Sequence, residues 1–258
     1  MNRMTTAQRV MQRFLLVAGL AIGGLGAVAV RAETAGLVVT EVSGRVLARN
    51  EAGAYRGRVG PGFGPAAKDT ILTGREARVE LAWGEGGRWR VGQNAGWRRA
   101  PGMSPADAEL IAGSALVMPA TGETVAVAGA AATVSLTGGV WIVTAAANDG
   151  LKLVALDRGR AKRGEVELEL REGEVVFAPP GQASFGPVVT IFLAETLATS
   201  RLVAGFSAEL PGLERLRLRA AAQREALRHV SNAFVGDARD EGAFQLVVPK
   251  GRAEARAE

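Results

Sequence analysis

The amino-acid sequence predicts a mainly β protein, either solenoid-like or sandwich-like, with an amphipathic helix near its carboxyl end. Short β-type runs separated by glycine-containing turns recur along the chain to about Leu193. From Gly212 the apolar residues instead repeat at three- and four-residue steps, which is the period of a helix. Together with a leader at the amino terminus, these patterns divide the chain into five consecutive segments: 1–32, 33–66, 67–195, 196–236 and 237–258.

The first segment, residues 1–32, has the three parts of a secretory signal peptide. Arginines precede an uninterrupted apolar run at 14–30, and the small residues at its end fit a signal peptidase site. We therefore expect cleavage between Ala32 and Glu33 and export to the periplasm or elsewhere in the cell envelope. The alternative is an uncleaved anchor, since the length of the run is near the lower limit of about 17 to 25 residues for spanning a bilayer. In that case the leader would be the only expected contact with a membrane.

Removing this leader changes the charge of the chain. Residues 1–32 hold four arginines and no acid, so 31 − 4 = 27 basic residues remain against 26 acidic ones. This balance gives no electrostatic reason to expect nucleic acid as a partner. The chain contains no cysteine, which excludes disulfides, thiolate metal ligands and cysteine nucleophiles.

The basic residues that remain are partly clustered, and we interpret each cluster as a solvated strand edge or turn. The clusters are Arg56 with Arg58, Arg88 with Arg90, Arg98 with Arg99, and residues 158–163.

Segment 33–66 is predicted to be an amino-terminal β segment that ends in a loop. Residues 36–40 and 43–49 form a first pair of β-type runs. The stretch at 55–65 follows, and its glycines and prolines disfavour a regular ladder. Since no strand-to-helix context and no lysine followed by serine or threonine accompanies it, we interpret it as a surface loop and not as a phosphate-binding loop.

Segment 67–195 is predicted to hold the main β-domain. In residues 77–83 every second residue is apolar, and the alternation continues at 88–91 beyond a glycine-rich turn, so we expect a hairpin with one buried face. Strong turn sequences bracket two later runs, at 151–156 and 165–171.

Several parts of this β-domain resemble the FecR domain. The stretch KDTILTG at 68–74 is similar to the opening of that domain, and GGRWRVGQN at 86–94 is similar to its next strand and asparagine turn. Lys68 stands where the family usually has glycine. The other similar stretches are 108–117, 124–127, 134–143 and 154–161, so that the resemblance covers residues 67–161, with 166–176 as an additional coil.

The resemblance implies a periplasmic β-domain similar to those that relay the occupancy of an outer-membrane transporter to a sigma-factor regulator. The cytoplasmic anti-sigma region of signalling members has no counterpart, because only 13 residues precede the apolar run. We therefore expect an exported domain that binds an envelope protein or a polysaccharide, with a role in signal sensing. The alternative is a structural envelope protein without a signalling role.

Segment 196–236 is predicted to be helical, with an amphipathic helix from Gly212 to Phe234. We expect its narrow apolar stripe to cap the end of the β-domain, and pairing with another helix is the alternative. His229, the single histidine, borders this stripe and is interpreted as a helix-boundary residue and not as a catalytic base. The last segment, 237–258, contains one apolar run, and its final eight residues are expected to be disordered.

The sequence gives no pattern for an enzyme, a cofactor or a metal site. No serine lies in a nucleophile elbow, and the glutamates at 165, 167 and 169 lie on one face of one predicted strand. With one histidine and no cysteine, the chain also lacks a metal-ligand motif.

The four tryptophans are the remaining candidates for a binding surface. Three of them occupy apolar positions in predicted strands, so we expect them in the core. These are Trp83, Trp89 and Trp141. The fourth, Trp97, lies between Gly96 and two arginines, which predicts a turn or strand edge with a partly exposed ring. Trp97, Arg98 and Arg99 are therefore the predicted binding residues.

Overall fold

The structure is a computed structural model that describes residues 36–102, 104–146 and 150–227. Several predictions concern residues outside these ranges. They are the signal peptide at 1–32 with its cleavage site at Ala32 and Glu33, the boundary role of His229, the helix beyond residue 227, and the tail at 237–258.

The described residues form sixteen strands and three helices. The strands are β1 (Val38–Ser43), β2 (Val46–Arg49), β3 (Tyr55–Arg58), β4 (Thr70–Thr73), β5 (Arg78–Trp83), β6 (Gly87–Val91), β7 (Gly96–Arg99), β8 (Ala108–Met118), β9 (Thr124–Gly129), β10 (Ala132–Thr137), β11 (Trp141–Ala146), β12 (Gly150–Ala155), β13 (Gly159–Arg163), β14 (Val166–Leu170), β15 (Glu174–Ala178) and β16 (Val189–Thr190). The helices are α1 (Leu193–Thr199), α2 (Arg201–Ala204) and α3 (Leu213–Ala226).

The strands form two layers that share one strand. Sheet A has the order β1-β5-β6-β8-β11-β12-β15-β16. Sheet B has the order β3-β2-β4-β7-β8-β9-β10-β13-β14. Among the described strand pairs, β8 with β9 is parallel and the others are antiparallel.

The long strand β8 connects the two layers. Residues 108–112 pair with β7 in sheet B, and residues 113–118 pair with β6 and β11 in sheet A. At the transition Gly113 has φ +81°, a conformation that favours glycine, and a Cβ there would lie 2.7 Å from the Cβ of Ala95. Glycine therefore permits both the bend and the close approach of the neighbouring chain.

The main core lies between the two sheets and follows the predicted alternation. Val79, Leu81 and Trp83 of β5 all point inward and are at most 2% exposed. Leu81 pairs with Trp89 across the hairpin, which places both side chains on the same inner face. The period-two pattern thus gave the correct buried face for this hairpin.

The prediction of a mainly β protein is confirmed, and of the two predicted arrangements the structure has the sandwich-like one. Antiparallel neighbours and a core between two layers differ from the stacked coils of a solenoid. The predicted loop at 55–65 contains the short strand β3, which is exposed along its whole length and has Gly57 at φ +115°.

A second core lies on the other face of sheet A, where the helices pack. Leu116, Ile142 and Val154 point outward from the sheet and contact apolar side chains of the C-terminal segment, residues 193–227. Leu216 of α3 is fully buried among them. The predicted packing of the helix within the chain is therefore correct, but the segment covers a face of the β-domain and does not cap an end.

Polar contacts fix α3 to the strands beneath it. Arg215 and Arg219 both bind the Asp157 carboxylate, at 2.8 Å each. The Gln223 side-chain amide accepts from the N–H of Leu193 at 2.9 Å and donates to the carbonyl of Glu172 at 3.0 Å. None of the helices in the described residues is long and apolar enough to cross a membrane.

We predict that Gly113→Ala will destabilise the fold by about 2 to 4 kcal/mol, since it adds both left-handed strain and a steric clash in the core. Gly122→Ala is the matched control, because Gly122 has φ +75° and open space around its Cβ position. Its cost should be about 1 kcal/mol from backbone strain alone. Urea denaturation measures both, and equal midpoints would contradict the proposed role of the β8 bend.

Candidate functional site

Trp97 is a core residue, and the prediction of a partly exposed ring is wrong. Its side chain is 0% exposed and packs edge-on against Trp89, with ring centroids 6.1 Å apart. The flanking residues suggested a turn, but they belong to β7 in the middle of sheet B, where Trp97 pairs with Ile71 on the inner face. Trp97 therefore cannot contact a partner in this conformation.

The other three tryptophans are buried as predicted, and each indole N–H has a partner. Trp89 donates to the carbonyl of Ala106 at 2.9 Å, and Trp141 donates to that of Gly138 at 2.6 Å. Trp83 donates to the Glu123 carboxylate. These contacts explain how large amphipathic rings are accommodated in the core without an exposed face.

Arg98, in contrast, points outward from sheet B. Its guanidinium binds the Glu109 carboxylate, with the Nε to Oε2 distance at 2.9 Å, and its side chain is 43% exposed. Thr70 and Glu109 are its direct neighbours on the two adjacent strands. Arg99 is half-buried and donates from Nη1 to the carbonyl of Pro65 at 2.7 Å. Two of the three predicted binding residues are therefore accessible.

These two arginines line a groove of about 310 Å³ on the outer face of sheet B. Lys68 and Glu51, which form an ion pair, line it together with Asn50, Thr70 and Glu109. Arg98 and Lys68 face the two carboxylates in this groove, and the third cation of its lining, Arg99, directs its guanidinium to the Pro65 carbonyl. The strands hold guanidinium, amide, hydroxyl and carboxylate groups close together, a set that can donate and accept hydrogen bonds with a polar ligand.

An exposed aromatic ring lies on the same sheet, two strands from this groove. Tyr55 of β3 is 60% exposed, and the guanidinium carbon of Arg49 lies 4.4 Å from its ring centroid. Arg49 pairs with both Tyr55 and Thr70, so the ring is two strands from the groove wall. Sequence reasoning missed Tyr55 because it lies in the stretch that was interpreted as a loop.

Arg90 is buried, which corrects the interpretation of the cluster of Arg88 and Arg90 as solvated. Its side chain is 0% exposed, and Nε donates to Glu80 at 2.8 Å. Its other nitrogens donate to carbonyls of the C-terminal segment, those of Val203 at 2.9 Å and Ala208 at 2.6 Å. Because α2 ends in this region, the cation also lies where the helix dipole favours it.

Most arginines of the remaining basic clusters are solvated, as the sequence predicted. Arg56, Arg58, Arg158 and Arg160 are exposed. Arg163 differs, since it is 5% exposed and donates to the carbonyl of Ser184 at 3.0 Å.

Two further residues complete the contacts around Arg90. Phe206 packs over its guanidinium, with 4.5 Å between the guanidinium carbon and the ring centroid. Glu41 accepts hydrogen bonds from the backbone N–H of Ser207 at 3.0 Å and from its hydroxyl at 2.7 Å. We call Glu41, Glu80, Arg90, Phe206 and Ser207 the Arg90 cluster.

The Arg90 cluster alters the acidity of Glu41. Burial by itself would raise the pKa of this carboxyl, but the hydrogen bonds from Ser207 and Ala208 and the charge of Arg90 outweigh it. The pKa of Glu41 is therefore lower than its usual value. The cluster fastens the C-terminal segment to sheet A, and its contacts are structural in character.

No metal site is evident in the part of the chain that the structure describes. No group of three or more histidine, aspartate or glutamate side chains is placed to hold an ion there. The glutamates at 167 and 169 lie on one strand face, as predicted, and they form ion pairs with Arg160 and Arg158.

Comparison with solved structures shows a partial likeness of the fold. No protein-family model and no curated protein matches the chain. Two crystal structures from Parabacteroides distasonis, each described as a "putative anti-sigma factor", are similar with TM-scores of 0.37 and 0.38 at 15% identity. In both, the similar region covers 47% of this chain and 59% of the other chain. This likeness therefore concerns only part of the fold.

We predict that Arg90→Met will destabilise the protein by about 3 to 5 kcal/mol, because the buried carboxylate of Glu80 loses its close ion-pair partner and keeps only the Thr40 hydroxyl at 2.7 Å and Arg88 at 3.9 Å. Amide hydrogen exchange should accelerate at residues 202–208. Arg88→Met is the control, since Arg88 is 27% exposed and lies 3.9 Å from Glu80. The double variant Arg90→Met with Glu80→Met should recover part of the loss, and unchanged exchange in Arg90→Met would contradict the fastening role.

Glu41→Gln should lower stability at pH 7 by about 1 kcal/mol, since the amide is a weaker acceptor for Ser207 and Ala208. The pKa of Glu41 is lower in the folded than in the unfolded state. Its contribution is therefore complete above the unfolded pKa of about 4.3 and is lost as the pH falls through the folded pKa. The difference between wild type and variant should shrink in denaturation curves below about pH 4, and Glu51→Gln, at an exposed side chain, should show no comparable difference at pH 7.

Proposed function

We propose that this chain is an exported FecR-like domain that binds an envelope protein or polysaccharide through the groove on sheet B. The observation that carries the proposal is that the outer face of one sheet is covered and the outer face of the other is open. The C-terminal segment covers the apolar outer face of sheet A. The outer face of sheet B is mostly polar, although Ile111 is 47% exposed, and in the described part of the chain the groove with Arg98 and Arg99 lies open on it.

The electrostatics of the groove favour ligand binding over a purely structural role for its side chains. The pair of Arg98 and Glu109 is partly exposed, with the side chains 43% and 33% accessible. Such surface pairs contribute only about 0 to 1 kcal/mol to stability. Their groups can therefore turn towards a ligand at little cost, while the backbone of β7 and β8 keeps them in place.

The groove suits both classes of partner for different reasons. Its mixed charges, Lys68 and Arg98 beside Glu51 and Glu109, complement a protein surface with alternating charges. A polysaccharide that extends from the groove across β2 reaches the exposed ring of Tyr55, and an aromatic ring beside polar groups suits a sugar. The four tryptophans are buried and supply no such face.

The proposed export and the proposed role in sensing are both supported by the amino-acid sequence. The leader at 1–32 supports an envelope location, and the resemblance at 67–161 to the FecR domain supports a role in sensing. A structural envelope protein is the alternative function. It would be abundant and would sediment with the wall or outer membrane regardless of the groove.

The test is retention of envelope material from the native host on the immobilised chain. Wild type should retain a discrete species, and Lys68→Glu with Arg98→Glu should reduce retention at least tenfold, because two cations of the groove become anions. Treating the extract with protease or with periodate decides between a protein and a polysaccharide partner.

Arg45→Glu with Arg75→Glu is the matched control. It makes the same charge change in exposed turns at the opposite ends of β2 and β4 from the groove. The control should retain as much material as wild type. Equal retention by both double variants would exclude the groove as the binding surface. If most of the protein sediments with the wall or outer membrane, and neither double variant changes this, the structural alternative is favoured.

A further inference from the structure

Four strands lie at the edges of the two sheets, and three of these edges are protected. At β1, the backbone of Val39 exchanges hydrogen bonds with Gly62 and Phe63, both at 2.8 Å. The edge strand β16 has only two residues. The edge strand β3 is irregular, since Gly57 has φ +115° and the pairing with β2 shifts in register. Short, covered or irregular edges resist pairing with another chain.

The fourth edge strand, β14, is regular and uncovered by the described residues. It pairs with β13 over five consecutive residues without a bulge. A two-residue loop, Gly164 and Glu165, closes this hairpin, so Arg163 and Val166 form its first hydrogen-bonded pair. The pairs alternate from there, which directs the backbone N–H and C=O groups of Glu167 and Glu169 away from β13.

The side chains of β14 present different chemistry on its two faces. Glu167 and Glu169 lie on the outer face, 47% and 62% exposed, while Leu168 packs partly against the main core. Val166 shares the inner face and is 37% exposed. A strand added beside β14 would meet carboxylates on its outer side and apolar groups on its inner side.

We propose that β14 binds an extended segment of a partner protein in which basic residues alternate with apolar ones. The backbone of Glu167 and Glu169 would pair with that segment, as in other cases of strand addition to a sheet edge. Lysine or arginine opposite the two glutamates forms attractive cross-strand pairs, and an apolar residue between them covers Leu168.

A second copy of this chain fits the edge less well. In antiparallel self-pairing centred on Leu168, Glu167 of one copy lies opposite Glu169 of the other, twice. Like charges directly opposite each other on neighbouring strands are destabilising. Glu167 and Glu169 already pair with Arg160 and Arg158 on the β13 side, and a basic residue in the added strand would contact each carboxylate from the open side. Charge complementarity therefore favours a basic partner segment over a second copy.

The test uses the full chain labelled with nitrogen-15 and a blocked heptapeptide of alternating lysine and valine. Binding should shift the amide resonances of Glu167 and Glu169 and slow their hydrogen exchange. A peptide of the same composition, with lysines and valines in two separate blocks, should bind at least tenfold more weakly, because it cannot place charge and apolar groups on opposite faces.

Two variants separate backbone pairing from charge. Glu167→Pro removes an outward N–H without touching the hydrogen bonds to β13, and it should abolish the slowed exchange of the Glu169 amide. Glu167→Lys with Glu169→Lys keeps the backbone intact and should weaken the lysine–valine peptide roughly tenfold while strengthening a glutamate–valine peptide. Glu165→Lys with Glu85→Lys, both in exposed turns, is the charge-matched control and should bind like wild type.

Three outcomes would overturn the proposal. The resonances of Glu167 and Glu169 could stay unchanged at saturating peptide, or the charge reversal could leave peptide preference the same. Slow exchange of both amides in the free protein would mean that the edge is already occupied. The occupant would be a second copy if the exchange rate depends on protein concentration, and the chain itself if it does not. The groove variants at Lys68 and Arg98 should leave peptide binding intact, so the two proposals fail independently.

Discussion

The architecture depends on strand β8, which belongs to both sheets. Its eleven residues change from sheet B to sheet A at Gly113, where the backbone takes a left-handed conformation and passes close to Ala95. Since the two layers share this strand, their inner faces meet in one continuous core. Each layer then retains one outer face, and the chemistry of these two faces determines what the rest of the chain must do.

The two outer faces differ in composition and therefore in how they are covered. Sheet A presents Leu116, Ile142 and Val154, which are stable only when removed from water. The C-terminal segment provides this cover, and Arg90 connects it to the strands through carbonyls more than 110 residues away in sequence. Sheet B presents mostly threonines and charged residues on its outer face, with Ile111 as an exposed apolar residue, so this face can stay open to water and carry the groove.

Two residues of the candidate site could be predicted from the sequence, but Trp97, which was expected at the binding surface, is not part of the site. Arg98 and Arg99 were correctly singled out as accessible, whereas Trp97 was placed at the surface. Gly96 and the two arginines indicated a turn because the local pattern is short and polar on one side. The pairing of β7 between β4 and β8 makes the same residues a central strand, in which Trp97 necessarily faces the core.

The sequence by itself determined the strand content, the inner faces of the β5–β6 hairpin, the burial of Trp83, Trp89 and Trp141, and the helix that begins after Gly212. These features follow from residue periodicity, which is a local property of the chain. Only the tertiary structure decided that Arg90 is buried, that sheet A is covered and that β14 is left as a regular edge. Alternation identifies two faces of a strand, but which outer face is covered depends on segments far away in the sequence.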